Sequence, residues 1–117
     1  MPVKTMKAGN KEVIVQDCSH LPKPEDAIGI LKEGYELLRI KPEKSAYTII
    51  DFTGLNLSGE TGAEAKRYAQ LHAPYLKMSA VIGMNPAIFK VLKAMSKMEM
   101  ELFDSVEQAL KYIETAS

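Results

Sequence analysis

The stretch Gly54-Leu55-Asn56-Leu57-Ser58-Gly59-Glu60-Thr61 has the glycine spacing of a phosphate-binding loop, and it falls between a β-branched run and a helical pattern. Such a loop needs a lysine after its second glycine, because the ammonium neutralises the β- and γ-phosphates. Glu60 stands there instead, and its carboxylate repels a polyphosphate. The spacing therefore reads as a glycine turn leading into a helix, capped by Ser58 or by Thr61 with Glu64. Asp17 and Asp51 each close a predicted strand, an arrangement with which receiver domains hold magnesium and accept a phosphoryl group. The companion groups of that chemistry are missing. Cys18 replaces the second acid, Gly83 ends the strand around Ala80 where a hydroxyl belongs, and Phe103-Asp104 ends the last strand where a lysine belongs. Both acids are left with the role of accepting bonds from turn amides.

Cys18 and His20 share one side of an extended segment but stand about 7 Å apart, too far for direct proton transfer. They read as a small buried thiol and a loop imidazole. His72 shares a helical face with Ala65 and Ala69, which places it in a core or a cleft. One cysteine excludes an intramolecular disulfide. With only two histidines, the chain has too few soft ligands for a typical zinc site, and no cofactor is expected. Met78, Met84, Met95, Met98 and Met100 cluster in the C-terminal half, where methionine serves either as core filler or as an adaptable docking surface. Met98 and Met100 alternate with Glu99 and Glu101, so they are the candidate apolar contact.

These groups need elements to hold them. Val3 to Ala8, Gly9-Asn10 and Glu12 to Asp17 predict a hairpin. A helix between Pro24 and Pro42 presents Ile28, Leu31, Tyr35 and Leu38 on one face. Ala46 to Phe52 is apolar enough for a central strand. A second helix carries Ala65, Ala69, His72 and Leu76, with a break or kink forced by Pro74. Ser79 to Gly83 is a short strand. Asn85-Pro86 opens a third helix with Ile88, Leu92 and Met95 facing inward. Glu99 to Phe103 is the last strand, and the capping box Ser105-Val106-Glu107-Gln108 starts a fourth helix that buries Val106, Leu110 and Ile113. The expected fold is an α/β domain of order ββαβαβαβα, with a mixed, mostly parallel sheet of about five strands and four flanking helices.

A chain of 117 residues, 46% hydrophobic and 26% charged, is long enough for one domain with a real core and too apolar for disorder. Fifteen basic and fifteen acidic residues cancel. That balance, with no aromatic residues among Lys90, Lys93 and Lys97, makes this lysine stripe a solvated face and argues against a nucleic-acid partner. No apolar run reaches the roughly 20 residues of a transmembrane segment. The first residues lack the apolar core of a signal peptide, so a cytoplasmic location is expected.

Three strings carry a resemblance: Tyr47-Thr48-Ile49-Ile50-Asp51-Phe52-Thr53-Gly54, then Ala73-Pro74-Tyr75-Leu76-Lys77-Met78-Ser79-Ala80-Val81-Ile82-Gly83, then Leu102-Phe103-Asp104-Ser105-Val106-Glu107-Gln108-Ala109-Leu110. From Glu12 to Ile113 the chain resembles the bacterial SpoIIAA-like family, also labelled STAS/SEC14-like. It departs mildly at Tyr112-Ile113, where the family has Trp-Leu. The resemblance implies a STAS-like fold of the kind used by anti-sigma-factor antagonists. There, a strand ending Asp-Leu-Ser leads to Asp-Ser-Ser-Gly, whose first serine is phosphorylated. Asp51-Phe52-Thr53 matches the first string and Gly59-Glu60-Thr61-Gly62 the second, so Glu60 takes the phosphoserine position with a permanent charge about half that of a phosphate. Either the switch is absent, or Ser58 or Thr61 replaces it. Asp51, Thr53, Ser58, Glu60 and Thr61 are then the candidate recognition loop.

No grouping of nucleophile, base and oxyanion donors is present, so a non-enzymatic domain is expected. The first expectation is a regulatory domain with a protein partner of unknown identity. The alternative, implied by the SEC14-like half of the resemblance, is a carrier of a small apolar ligand or lipid; an uncharacterised enzyme is the distant third. A homodimer is expected from zero net charge and from a late edge strand beside Met98 and Met100.

Overall fold

The computed structural model describes residues 2–96 and 99–116, without the side chains of Met95 and Ser96. Lys97 and Met98, and the inward placement expected of Met95, lie outside the described residues. The chain forms β1 (Val3–Ala8), β2 (Lys11–Asp17), α1 (Asp26–Leu38), β3 (Ala46–Asp51), α2 (Gly59–His72), a single 3₁₀ turn (Ala73–Tyr75), β4 (Leu76–Ile82), α3 (Pro86–Ser96), β5 (Met100–Phe103) and α4 (Val106–Thr115). The five strands lie side by side in chain order. β1 and β2 are antiparallel across the Gly9-Asn10 turn, where Gly9 takes a positive φ of 65° that costs glycine nothing. The pairs β2–β3, β3–β4 and β4–β5 are parallel.

Parallel strands advancing in one direction through right-handed crossovers put their connecting helices on one face. Strand alternation then sorts the side chains. Ile14, Ile50, Val81 and Met100 point toward α1, α2 and α3. Val13, Val15, Ile49, Ala80 and Ile82 point the other way, where Ala109 and Ile113 of α4 cover them. Both faces are buried, which is why β3 and β4 are enclosed along nearly their whole length, with Lys77 the exposed position of β4 and Thr48 and Ser79 the buried polar ones. The Lys11 ammonium fastens α4 to the first hairpin by donating to the carbonyls of Ile113 (2.7 Å), Glu114 (3.3 Å) and Ala116, at the helix end where a cation is favoured.

Local signals place two helix starts well. Asn85 Oδ1 accepts the Ala87 N–H at 2.8 Å, and Ser105 Oγ accepts the Gln108 N–H at 3.2 Å. Gln108 Oε1 reaches back to the Asp104 N–H at 3.1 Å, completing the box one residue earlier than usual. Ser58 occupies the residue before α2 in extended backbone, but its hydroxyl makes no capping bond, and Thr61 lies inside the helix. The expected cap at either residue is therefore absent.

Tertiary packing corrects three other expectations. The buried face of α1 is Ala27, Ile30, Leu31, Gly34 and Leu38, with Ile28 and Tyr35 at its border, because α1 packs on both the sheet and α2. Leu76 opens β4 rather than closing α2, since the Pro74 turn ends the helix first. Among the described residues of α3 the buried one is Phe89, Leu92 is half-buried, and Ile88 is 56% exposed.

Candidate functional site: an apolar cleft between two helices

α1 and α2 pack on one another over β2 and β3. α3 rests on β5 and makes no comparable packing with α2 among the described residues. The gap between α2 and α3 is a cleft of about 410 Å³, within the size range of small-molecule sites. Its floor is the upward face of the sheet: Ile50, Ser79, Val81 and Met100. α2 turns Gly62, Ala65 and Ala69 toward it, α3 contributes Ile88 and Leu92, and the β3–α2 loop contributes Phe52 and Leu57. The small α2 residues make the space, since longer side chains there would reach α3 and fill it. Among the described lining residues Lys66 is the one charged side chain.

Met100, expected as a surface contact, is 6% exposed and packs with Val81 and Phe89 in the cleft floor. β5 is covered on both sides, by α3 and α4, so the inward position of an edge strand is core here.

At the end of the cleft nearest the 3₁₀ turn sits His72, 1% exposed. Its Nδ1 lies 2.6 Å from the Tyr68 carbonyl one turn earlier, and its Nε2 lies 3.1 Å from Gln16 Oε1 on β2. Gln16 Nε2 donates to Thr48 Oγ1 at 2.8 Å, and Thr48 Oγ1 donates to the Ile14 carbonyl at 2.8 Å. The row joins α2, β2 and β3 beneath the helices. Burial holds the His72 pKa below its ordinary 6.5, with the Tyr68 carbonyl opposing that shift. Gly34 of α1 lies directly on the Gln16 amide: a Cβ there would sit 2.1 Å from Oε1.

The residues of the expected recognition loop have separate duties. Asp51 Oδ1 accepts the Thr53 N–H at 2.9 Å and the Thr53 hydroxyl at 2.6 Å. Asp17, its neighbour in register, does the same with Ser19. Both acids thus close turns at the carboxyl ends of β2 and β3. Ser58 lines the cleft, Glu60 is exposed on the first turn of α2, and Thr61 is half-buried beside it. Gly54 has a φ of +73°, and a Cβ there would strike the His20 ring at 2.4 Å, so the first glycine of the loop serves the turn. Cys18 is fully enclosed while His20 is exposed, and burial, with Asp17 and Asp51 adding to it, pushes the thiol up to about 12. A thiol in that state is neither nucleophile nor ligand at neutral pH.

Among the described residues no group of three or more His, Cys, Asp and Glu could hold a metal ion, and no helix is long and apolar enough to cross a membrane. What the cleft offers chemically is burial of apolar surface. The sequence trace of it was the Ala65, Ala69, His72 spacing; the contribution of α3 and the tie from His72 to Gln16 left no local pattern. Comparison of the chain with protein-family models, with curated proteins and with solved structures finds no match.

Proposed function

We propose that this chain is a non-enzymatic binding domain that holds a small, largely apolar molecule between α2 and α3. One observation carries this reading: a cleft of about 410 Å³ with apolar walls, in a domain whose sheet is otherwise covered on both faces. The cleft opens to solvent, so in the free protein water stands against its apolar walls, and an apolar molecule that displaces this water gains by burial. Covering about 300 Å² of ligand surface at about 25 cal/mol per Å² contributes roughly 7 kcal/mol before the cost of immobilising the ligand, which sets micromolar affinity as the upper bound.

Uncharged N-phenylnaphthylamine, which fluoresces when shielded from water, tests the proposal. The native chain should bind it at micromolar concentration, and Ala69→Trp, which fills the cleft from a half-buried position, should abolish binding without lowering the urea midpoint. Equal binding to the filled variant, or no binding by the native chain, refutes it. A second reading, a STAS-like protein-interaction domain related to the SpoIIAA-like regulators, is supported by the element order and by Ile88 and Val91, both more than half exposed on α3.

A further inference from the structure

The row of polar groups beneath the cleft is one proton short. It runs from the Tyr68 carbonyl through His72, Gln16 and Thr48 to the Ile14 carbonyl, and so has four contacts. Carbonyl oxygens stand at both ends, and neither can donate. A neutral imidazole supplies one proton, the Gln16 amide one along the row, and the Thr48 hydroxyl one. Three protons cannot fill four contacts. If His72 Nδ1–H serves Tyr68, its bare Nε2 faces the Gln16 oxygen. If the Gln16 amide is turned to donate to Nε2, its oxygen takes the Thr48 proton and the Ile14 contact is left empty. If the proton sits on Nε2, bare Nδ1 faces the Tyr68 carbonyl at 2.6 Å. Only the imidazolium, which donates from both nitrogens, satisfies the whole row.

Burial opposes that charge. The groups around His72 do little to offset it. α1 presents Tyr35, with ring centroids 6.3 Å apart, and the 3₁₀ turn adds Tyr75 against Tyr35. β2 and β3 present Gln16 and Thr48, β4 presents Leu76 and Ser79, and α3 presents Ile88 and Leu92 across the cleft. α2 carries Lys66 in the same cleft wall, a like charge to an imidazolium, and no described lining residue is a carboxylate. What stands in the cleft biases the contest between an unfilled hydrogen bond and a buried charge: His72 lines the cleft at 1% exposure, so water there supports the charge as a nearby polarisable medium rather than by direct contact, and an apolar molecule removes that support.

We infer that occupancy of the cleft is proton-linked: an apolar ligand binds with His72 neutral, and acidification charges His72 and expels it. This rests on the cleft being the binding site proposed above. Linkage makes the effect reciprocal, so the ligand must lower the His72 pKa by the amount that protonation weakens binding.

The test titrates N-phenylnaphthylamine binding from pH 8 to pH 5 and follows the imidazole carbon-bound protons by NMR in the same samples. His20→Asn leaves His72 as the sole histidine, at an exposed position outside the cleft whose positive φ asparagine tolerates. The affinity should be level above about pH 6.5, then fall by up to tenfold per pH unit once below the titration of the free protein. Bound probe should move the His72 titration to lower pH. Probe binding that ignores pH, or a His72 titration that ignores the probe, overturns the inference and leaves the cleft reading standing. Absence of probe binding at every pH overturns both.

Discussion

Two glycines in the same helix make opposite tests of how closely α1 approaches the buried row. Gly29 and Gly34 both lie inside α1, where replacing glycine by alanine gains about 1 kcal/mol of helix propensity. An alanine Cβ at Gly29 meets nothing within 4 Å, so Gly29→Ala should stabilise the protein by that amount. At Gly34 the same methyl would lie 2.1 Å from Gln16 Oε1, 2.3 Å from Cδ and 2.9 Å from Nε2. Gln16 is 0% exposed and bonded to Thr48, so its amide has no alternative partner to swing toward. Displacing it breaks the Thr48 bond and the His72 contact. Each loss costs about 1–3 kcal/mol when a buried partner is left unsatisfied. Against the propensity gain, Gly34→Ala should be destabilising by about 1–5 kcal/mol. Urea unfolding monitored by circular dichroism reads both variants, and unchanged m-values would confirm that the midpoints report stability. A Gly34→Ala variant as stable as Gly29→Ala would refute the close approach, and with it the placement of Gln16 under α1.

Two further outcomes are expected. Ser105→Ala should cost about 1 kcal/mol because its hydroxyl caps α4, while Ser58→Ala, which loses no capping bond, should change the urea midpoint little. Cys18 has its pKa raised from 9.0 to about 12, so the unfolded chain loses its thiol proton first, and stability should be complete below pH 9 and decline between pH 9 and about 12 by up to ~1.4 kcal/mol per unit. Cys18→Ala should remove that part of the alkaline decline, as measured by urea midpoints at pH 8 and pH 10.5.

The parts of the fold legible in the sequence are those set by neighbours along the chain. Gly9-Asn10 between an alternating run and a β-branched one specifies the hairpin, and Asn85-Pro86 and Ser105 with Gln108 mark helix starts through their own side-chain bonds. Side-chain direction was legible only where one face competes. α3 carries Ile88, Phe89, Val91 and Leu92 across nearly half of its circumference, so spacing alone does not choose among them, and the gap beside α2 leaves Ile88 at its rim. Leu76 continues the α2 spacing numerically, but the backbone had already turned at Pro74. The cleft is a lack of volume, made by small α2 residues facing a helix that arrives some 20 residues later, and periodicity registers no absence. Gln16 and His72 are 56 residues apart, and a glutamine at an inward strand position signals a buried partner without saying which.

The sequential strand order has a consequence for synthesis. Each strand from β2 onward pairs with the one made just before it, so the sheet can grow as the chain leaves the ribosome, every new strand finding its neighbour already in place. The helices α1 to α3 are laid down with it and shelter one side at each step. The other side waits for α4: Val13, Val15, Ile49, Ala80 and Ile82 stay open to water until Ala109 and Ile113 have been made. The nascent chain is therefore half-finished in an asymmetric way, with one face sheltered apart from the cleft and one adhesive face. Docking of Ala109 and Ile113 ends that interval, and the Lys11 bonds to the last carbonyls of α4 hold the helix end on the first hairpin.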